Sequence, residues 1–370
     1  MNRRTALGAL LGAPLVACRR DPPEPRPDIV PAARVELVKN VEPLGFQWKT
    51  LDPFLFCVHH DDAYPAGNAK LGPKGTLDGR NIGSDFTLKD GWRMYHGDVV
   101  PGFPEHPHRG FETVTVVRRG LVDHSDSLGA AARYGGGDVQ WLTAGNGIVH
   151  AEMFPLLDAN GPNPLELFQI WLNLPAVDKL VAPHFSMLWN EKIPRVSLVD
   201  SSGKTTEIVV IAGKLGPTVA GSPPPKSWAS RSDSDIAIWT IKMAPGGRVT
   251  LPPAQSGTNR VLYFFRGKDL RIGGRTVVAN SGIEVASDLE ATIENGAEET
   301  EILMLQGRPI GEPVVQRGPF VMNTPQEIQK AWTDYRATGF GGWPWTNHGP
   351  VHDRELRFAR HADGHFEKAT

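Results

Sequence analysis

Two short stretches of the chain each place two metal-ligand side chains two residues apart within strand-like sequence. His106 and His108 lie in the first stretch, and His150 and Glu152 lie in the second. Successive side chains of a β-strand point to opposite faces, so each pair shares one face of its strand. Two such strands facing into one barrel bring three imidazoles and one carboxylate to a single ion. The pattern therefore predicts a β-barrel with a four-ligand metal site.

The ligand types limit the choice of ion. Three nitrogen donors and one carboxylate suit iron, nickel, copper, manganese or zinc better than calcium or magnesium. Four ligands leave positions open on an ion that prefers six, which a catalytic site needs and a structural zinc site lacks. A barrel with a full core does not need a metal to hold its strands together. We therefore predict a catalytic rather than a structural metal.

The segments around these ligands also carry a family resemblance. HPHRGFETVT, from His106 to Thr115, and GDVQWLTAGNGIVHAEM, from Gly137 to Met153, resemble the signature of the pirin family of the cupin superfamily. The resemblance implies an all-β bicupin fold of two tandem jelly-roll barrels, with Fe(II) in the first. In pirins the iron ligands are the two histidines of HPH and the His and Glu of HAE. Here they correspond to His106, His108, His150 and Glu152.

A general cupin pattern would choose a different carboxylate. In many cupins a Glu a few residues after the His-x-His pair is the acidic ligand, which here would be Glu112. Its even offset from His108 keeps it on the ligand face of a regular strand. Gly110 lies between the two and favours a bulge that would turn the side chain away. We therefore expect Glu152 to be the ligand, and Glu112 to be structural or to orient a ligand imidazole.

Length and composition fit two domains built of strands. A chain of 370 residues exceeds a typical single domain, and its 40 glycines and 32 prolines suit short strands and tight turns. The formal net charge of −2 and the lack of a basic stripe disfavour nucleic-acid binding. We assign residues 35–195 to the first cupin domain, residues 196–345 to the second, and residues 346–370 to a charged tail.

The second domain is predicted to bind no metal. No histidine occurs between His184 and His348, so its barrel has no imidazole pair. It would support the first barrel or shape the entrance to its site, after a loose connection over residues 194–233. Thr324-Pro325-Gln326-Glu327 combines an N-cap, a first-turn proline and a Glu, and predicts a short helix to about Thr338.

Other side chains near the predicted site have less specific patterns. We expect His59 and His60 in a loop near the barrel mouth, because adjacent strand residues point to opposite sides. His124 is expected at a surface turn, and the histidines after residue 346 in a solvated tail. Six residues near the ligands could wall a dry pocket, although each alone is more often core: Phe111, Trp141, Met153, Phe154, Phe168 and Trp171.

The N-terminus resembles an export signal. Arg3 and Arg4 precede an apolar segment and resemble a twin-arginine signal, and Leu15-Val16-Ala17-Cys18 resembles a bacterial lipobox. We expect a signal peptide over residues 1–18, a Pro-rich linker over residues 19–34 and a lipid anchor at Cys18 on the periplasmic side. The alternative is a disordered leader on a cytoplasmic enzyme. With Cys18 acylated, Cys57 is the one thiol left, and no internal disulfide is expected.

The family resemblance implies a metal-dependent dioxygenase. Pirins resemble quercetin 2,3-dioxygenases in their site and reported activity class, so the expected partners are a small aromatic phenol and O2. Glu152 would also be catalytic, as the base that accepts the substrate hydroxyl proton. One alternative is a non-catalytic iron-binding regulatory protein, and another is redox-neutral isomerisation or hydrolysis at the same metal. We expect a monomer.

Overall fold

The computed structural model describes residues 36–353 and 356–369. The predicted signal peptide, its Cys18 and the Pro-rich linker lie outside these residues. Within them the fold is all-β with one α-helix, as predicted. No helix in this described part of the chain is long and apolar enough to cross a membrane.

Eleven strands make up the first half of the described chain: β1 Val38–Pro43, β2 Gln47–Trp48, β3 Phe54–Tyr64, β4 Gly102–His108, β5 Phe111–Arg119, β6 Leu121–Asp126, β7 Ala131–Gly135, β8 Val139–Thr143, β9 Ile148–Met153, β10 Asn163–Asn173 and β11 His184–Leu188. Short 3₁₀ helices lie at Ala176–Asp178, Asn190–Lys192, Trp228–Ser230 and Gly339–Gly341.

The remaining elements are β12 Arg195–Val199, β13 Thr205–Ala212, β14 Lys214–Leu215, β15 Thr218–Val219, β16 Ala237–Met243, β17 Arg248–Leu251, β18 Asn259–Arg266, β19 Asp269–Ile272, β20 Arg275–Val278, β21 Ser281–Val285, β22 Ala291–Asn295, β23 Thr300–Gly307, β24 Val315–Arg317, β25 Phe320–Met322, α1 Pro325–Thr338, β26 Phe358–Arg360 and β27 Phe366–Lys368.

The first barrel consists of two six-stranded antiparallel sheets. One has the strand order β11-β8-β5-β10-β3-β2, and the other has the order β27-β26-β7-β6-β9-β4. Side chains from both sheets meet in one apolar core, which includes Leu142 and Leu167 from the first sheet and Val122 and Tyr134 from the second. This core fills one end of the barrel interior and leaves room for a cavity beside β4.

The second barrel pairs a seven-stranded sheet, ordered β1-β21-β18-β23-β16-β13-β12, with a four-stranded sheet, ordered β17-β22-β19-β20. Its interior is apolar and includes Ile208, Trp239, Phe264 and Ile293, all buried. The two barrels follow one another along the chain. The predicted bicupin architecture is therefore confirmed.

A third apolar cluster joins the two barrels. Trp141 and Phe168 from the outer face of the first barrel pack with Leu303 from the second. Trp48 stacks on Tyr263 across the same boundary, with ring centroids 5.1 Å apart. Burying aromatic rings on both sides stabilises the pair of barrels as one body.

Two strands of the second barrel come from unexpected parts of the sequence. β1, at the start of the described chain, pairs antiparallel with β21, with Val38 opposite Val285. β12 and β13 fall within residues 194–233, which we expected to form a loose connection, yet they pair with each other, and β13 also pairs with β16. That expectation is wrong for this part, because alternate residues of β13 supply buried side chains to the second core. The predicted domain bounds stay a prediction.

The expectation of a solvated tail is also wrong. β26 pairs with β7, with Phe358 opposite Arg133, and so extends a sheet of the first barrel. Upstream of β26, the His352 backbone N–H donates to Asp123 at 2.8 Å, and the Trp345 indole donates to the Asp126 carbonyl at 2.9 Å. The tail packs because the buried edge of β7 offers unpaired backbone groups that a further strand satisfies.

The predicted helix is confirmed as α1. Thr324 is its N-cap, its hydroxyl accepts from the Glu327 backbone N–H, and the Glu327 carboxylate accepts from the Thr324 N–H, which completes a capping box. Residues 269–278 form the hairpin of β19 and β20. Gly273 and Gly274 form its turn with φ of 56° and 79°, values that favour glycine.

Candidate metal centre

Three of the four predicted ligands converge on one point inside the first barrel. β4 and β9 are antiparallel neighbours, with His106 directly opposite His150. One ligand atom of each of His106, His108 and His150 lies within 4.8 Å of the others. β4 carries Pro104 and Pro107, which this strand tolerates because it is the edge of its sheet. His106 and His108 on this strand face a cavity.

Hydrogen bonds to backbone carbonyls set the tautomers of two imidazoles. His106 Nδ1 lies 2.8 Å from the Pro104 carbonyl oxygen, and His108 Nδ1 lies 3.4 Å from that of Pro319. A proton on each Nδ1 leaves each Nε2 lone pair free for an ion. Burial lowers the pKa of His106 to about 4 and lowers the pKa of His108 well below its usual range. Both rings are therefore neutral at pH 7, as a metal ligand must be.

His150 gives the strongest sign that these residues suit a metal. Its side chain is completely buried, and neither Nδ1 nor Nε2 has a hydrogen-bond partner among the described residues. A buried polar atom without a partner is costly, and native structures have few of them. An ion that takes a nitrogen lone pair from His150 would remove that cost. The donor set thus fits a divalent transition metal.

Glu152 lies beside His150 on the same strand. Its Oε2 lies 4.0 Å from His150 Nε2. The Thr115 hydroxyl donates to Oε1 at 3.1 Å, and the Gln169 amide donates to Oε2 at 2.9 Å. Burial raises the pKa of Glu152 above its usual range. These two donors come from the facing sheet and hold the carboxylate beside the imidazoles.

The alternative carboxylate, Glu112, lies elsewhere. It is completely buried on β5 and accepts hydrogen bonds from Thr143 at 2.6 Å and from Ser227 at 2.5 Å. Ser227 lies between β15 and β16, in the second half of the chain. Gly110 has a φ of 85°, so the backbone turns between His108 and Glu112, as the sequence suggested. Glu112 therefore ties the two barrels together instead of facing the imidazoles.

A cavity of about 620 Å³ opens onto His106, His108 and Glu152. This volume is within the range of pockets that hold drug-sized molecules. Its polar wall includes His60, Thr115 and Gln169. Its aromatic wall is formed by Phe46, Phe56, Phe86, Phe103, Phe154 and Trp171.

Comparison with known proteins agrees with this geometry. The family Pirin matches residues 38–172, and the family described as Pirin C-terminal cupin domain matches residues 238–341. A Pseudomonas aeruginosa protein is 36% identical over 239 residues, which cover 63% of this chain and 77% of the relative. The chain belongs to the pirin family.

Other members show what this pirin is similar to. The Pseudomonas aeruginosa relative is named "Putative quercetin 2,3-dioxygenase". Human Pirin is 34% identical over 255 residues, which cover 65% of this chain and 79% of that protein. A crystal structure of quercetin 2,3-dioxygenase from Acinetobacter baumannii has a TM-score of 0.65 at 24% identity, covering 84% of this chain and 99% of that one. At 24% sequence identity, this structural similarity is evidence of a shared fold alone.

The six residues predicted as pocket walls separate into two groups in this pirin. Phe154 and Trp171 line the cavity, and Phe111 lies behind Trp171 with ring centroids 4.3 Å apart. Trp141 and Phe168 point the other way, into the cluster between the barrels, and Met153 belongs to a small separate core. Because successive side chains alternate between the two faces of a strand, each residue's position along the strand decides which way its side chain points.

The predicted loop position of His59 and His60 is wrong, since both lie on β3. They point to opposite sides of it: His60 lines the cavity, and His59 contacts Glu166 at 3.1 Å outside the barrel. His59, Asp61 and Glu166 come within 4.8 Å of one another. Burial opposes ionisation of Glu166, but the His59 hydrogen bond and the charges of Arg118 and Arg266 lower its pKa to about 2. With arginines as its partners, this group is an ion-pair network.

The predicted surface position of His124 is also wrong. His124 is completely buried on β6, pairs with Glu152 in the sheet register and lies with its ring centroid 5.6 Å from that of His150. Its Nε2 is 3.1 Å from Asp126. The turn lies at Gly120, and β6 begins directly after it at Leu121, so His124 falls inside the strand.

Sequence reasoning missed much of the cavity wall. Thr115 and Gln169 are polar residues on the inner faces of otherwise apolar strands, and this polarity was the available signal. Phe86 and His96 come from the connection over residues 65–101, which has isolated bridges but no named strand. That connection carries no periodic pattern that would have revealed its role.

Proposed function

We propose that this pirin is an Fe(II)-dependent dioxygenase that cleaves a flavonol-like or other phenolic substrate with O2. The observation that carries the proposal is the combination of neutral imidazoles and a carboxylate at the wall of an aromatic cavity. The name of the Pseudomonas aeruginosa relative supports the same activity class. Nickel, copper, manganese and zinc remain alternative ions.

His106, His108, His150 and Glu152 would hold the metal. When bound, Fe(II) supplies open positions for a substrate oxygen and the redox capacity for oxygen chemistry. The protein supplies orientation and a dry environment. Phe103, Phe154 and Trp171 offer flat apolar surfaces that would position an aromatic ring and exclude water from the reacting carbon atoms.

Glu152 is the residue that we propose to accept the substrate hydroxyl proton. Its carboxylate faces the cavity beside the imidazoles, and Thr115 and Gln169 fix its orientation by hydrogen bonds. A base must lie within hydrogen-bond reach of the proton it takes, and a substrate oxygen placed among the imidazoles would satisfy this condition. Glu152→Gln should retain part of the metal and lose turnover. Full activity of this variant would remove the proposed role.

The experiment that tests the function measures carbon monoxide release and loss of flavonol absorbance from Fe(II)-loaded protein with quercetin and O2. Ring opening consumes one O2 per flavonol and releases one carbon monoxide, so the two signals must agree. His108→Ala should abolish both. His365→Ala, at an exposed position in the β26–β27 turn, should leave both unchanged. Metal-loaded wild-type protein without turnover would instead favour a regulatory binding role or another reaction.

We also propose that the chain is exported as a lipoprotein anchored through Cys18 and acts as a monomer. The proposal rests on the arginine pair and the lipobox-like segment in the sequence. Labelling with a radioactive fatty acid, compared with Cys18→Ala, tests the anchor. Unlabelled wild-type protein in the cytoplasmic fraction would overturn it.

A further inference from the structure

The strand β3 divides its side chains between two environments. Phe56, Val58 and His60 line the cavity, whereas Cys57 belongs to the core between the barrels and His59 contacts Glu166. β3 lies in the sheet that faces the metal-ligand strands β4 and β9. His60 is therefore an imidazole of the cavity wall that belongs to a different sheet from the predicted ligands.

A chain of hydrogen bonds fixes the proton of His60. The Tyr95 hydroxyl donates to Asp62 Oδ2 at 2.6 Å, and Arg93 donates to Asp62 Oδ1 at 3.0 Å. Tyr95 has one hydroxyl proton, so its oxygen must accept the 2.7 Å hydrogen bond that joins it to His60 Nδ1. The proton of the neutral ring therefore resides on Nδ1, and Nε2 carries the free lone pair.

The surroundings keep this imidazole neutral. Burial, the charge of Arg93 and the neighbouring His59 lower the pKa of His60 to about 3. Burial also raises the pKa of Asp62 to about 6, against its hydrogen bonds from Tyr95 and Arg93, so the carboxylate is still ionised at pH 7. Among the described residues Nε2 has no hydrogen-bond partner. His60 Nε2 is thus an oriented acceptor in the cavity wall to which the described residues supply no donor.

The Phe103 ring separates His60 from the metal centre along the wall. Its centroid lies 5.8 Å from that of His60 and 6.3 Å from that of His106. A ligand that reaches both imidazoles needs two polar groups at different edges of its aromatic framework. His96 also lines the cavity, but its ring is exposed and its Nδ1 is bonded to the Gly83 carbonyl.

We propose that His60 determines substrate specificity: its Nε2 accepts a hydrogen bond from a second hydroxyl of the phenolic substrate, remote from the oxygen held at the metal centre. This inference rests on the proposed function and assigns the substrate class as polyhydroxylated aromatics. A site built to pair with a hydroxyl rejects an analogue without it, because the buried acceptor is then left unpaired. Tyr95 is a positioning residue that acts through His60.

The test measures binding to Zn(II)-loaded protein, which cannot turn over, by quenching of tryptophan fluorescence. The probes are quercetin, a flavonol without B-ring hydroxyls and a flavonol without A-ring hydroxyls. Wild-type protein should bind quercetin about 5–10-fold more tightly than one of the two analogues, the gain expected from one neutral hydrogen bond. His60→Phe should reduce that ratio to within about twofold.

Matched variants separate this role from a structural one. His59→Gln, one residue away on the opposite face of β3, should keep the wild-type ratio. Tyr95→Phe should lower the ratio, because Nδ1 loses its acceptor and the ring proton can move to Nε2. Tyr95→Phe also carries the test if His60→Phe does not fold. Metal content should be unchanged in all three variants.

The outcomes distinguish this inference from the proposed function. Turnover of quercetin with an unchanged binding ratio in both His60→Phe and Tyr95→Phe would overturn the specificity role alone. If the ratio of probe affinities depends on His60 but the protein shows no turnover, the dioxygenase activity is overturned and the binding role of His60 remains. Equal binding of all three probes, or binding of none, to wild-type protein would also overturn the specificity role.

Discussion

The two barrels share one architecture but differ in what fills them. The interior of the second barrel is occupied by apolar side chains such as Trp239 and Phe264, both buried. The interior of the first is divided between an apolar core and a cavity of about 620 Å³ with imidazoles and a carboxylate in its wall. The fold alone therefore does not make a site, and the polar residues placed on inner strand faces do.

The second half of the chain nevertheless contributes to the first site. The turn between β24 and β25 brings the Pro319 carbonyl to His108, and Gln316 and Gly318 line the cavity. Lys179, almost completely buried, donates to the carbonyls of Gly110 and Val321 and so links the ligand segment to this hairpin. The second half thus both supports the site and shapes its wall.

The sharpest comparison replaces one phenylalanine in each barrel. Phe264→Ala removes a fully buried ring from the second core and should lower the free energy of unfolding by about 3–5 kcal/mol. Phe103→Ala removes a half-buried ring that already borders a cavity and should cost about 1 kcal/mol. Urea unfolding of both variants measures the difference. Equal costs would mean that the first cavity is closed in solution.

A second prediction concerns the junction between the barrels. Burial raises the pKa of Glu112 to about 7, against its hydrogen bonds from Ser227 and Thr143. The protonated carboxyl therefore stabilises the fold below about pH 4.5, and this contribution is lost as the pH rises through 7. Between pH 4.5 and pH 8, the free energy of unfolding of Glu112→Gln should rise relative to that of wild type by on the order of 3 kcal/mol.

The measurement is the free energy of unfolding of both proteins across that pH range. Glu290→Gln, at an exposed position, serves as the control and should show no such gain. A difference between Glu112→Gln and wild type that does not change with pH would contradict a raised pKa.

Loss of one imidazole should affect metal binding far more than the metal-free fold. His150→Ala should lower the affinity for Fe(II) or Zn(II) by at least about 100-fold, above the cost of removing a residue that only orients a ligand. The stability of the metal-free protein should change little, since His150 has no hydrogen-bond partner among the described residues. Thermal unfolding with and without metal measures both effects. Metal stabilisation that survives in this variant would show that the ion binds elsewhere.

The smallest expected effect comes from the link between the halves. Lys179→Met removes the donor that holds Gly110 and the β24–β25 hairpin, and should lower metal affinity by about tenfold through the position of His108. Lys204→Met, at an exposed position, is the matched control. Competition with a metal-binding dye gives both affinities. Unchanged affinity in Lys179→Met would show that the second half does not support the site.

Local patterns in the sequence predicted much of this molecule. The alternation along β4 and β9 placed the imidazoles together, and the capping box at Thr324 located α1. The Gly273-Gly274 pair is likewise a local signal, typical of the two-residue turn that joins β19 and β20. Where one face of a strand is buried, alternation with a period of two indicates which side chains share that face.

Non-local features could not be read in the same way. Nothing near residues 38–43 indicates that β1 joins the second barrel, and the charged composition of the tail concealed the pairing of β26 with β7. His60 and Tyr95 meet only because residues 65–101 fold across the barrel mouth without a regular pattern. These contacts depend on which surfaces remain unpaired once the barrels form.

The pairing of β1 with β21 has a consequence for biosynthesis. The partner of Val38 is Val285, so a ribosome must complete most of the chain before the first described strand can find its place. The strand β26 likewise reaches the first barrel only after both barrels have been synthesised. A gene fragment that encodes one barrel as a continuous sequence would lack a strand of that barrel. If the chain were split between the barrels, each half would have to supply a strand to the other before both barrels were complete.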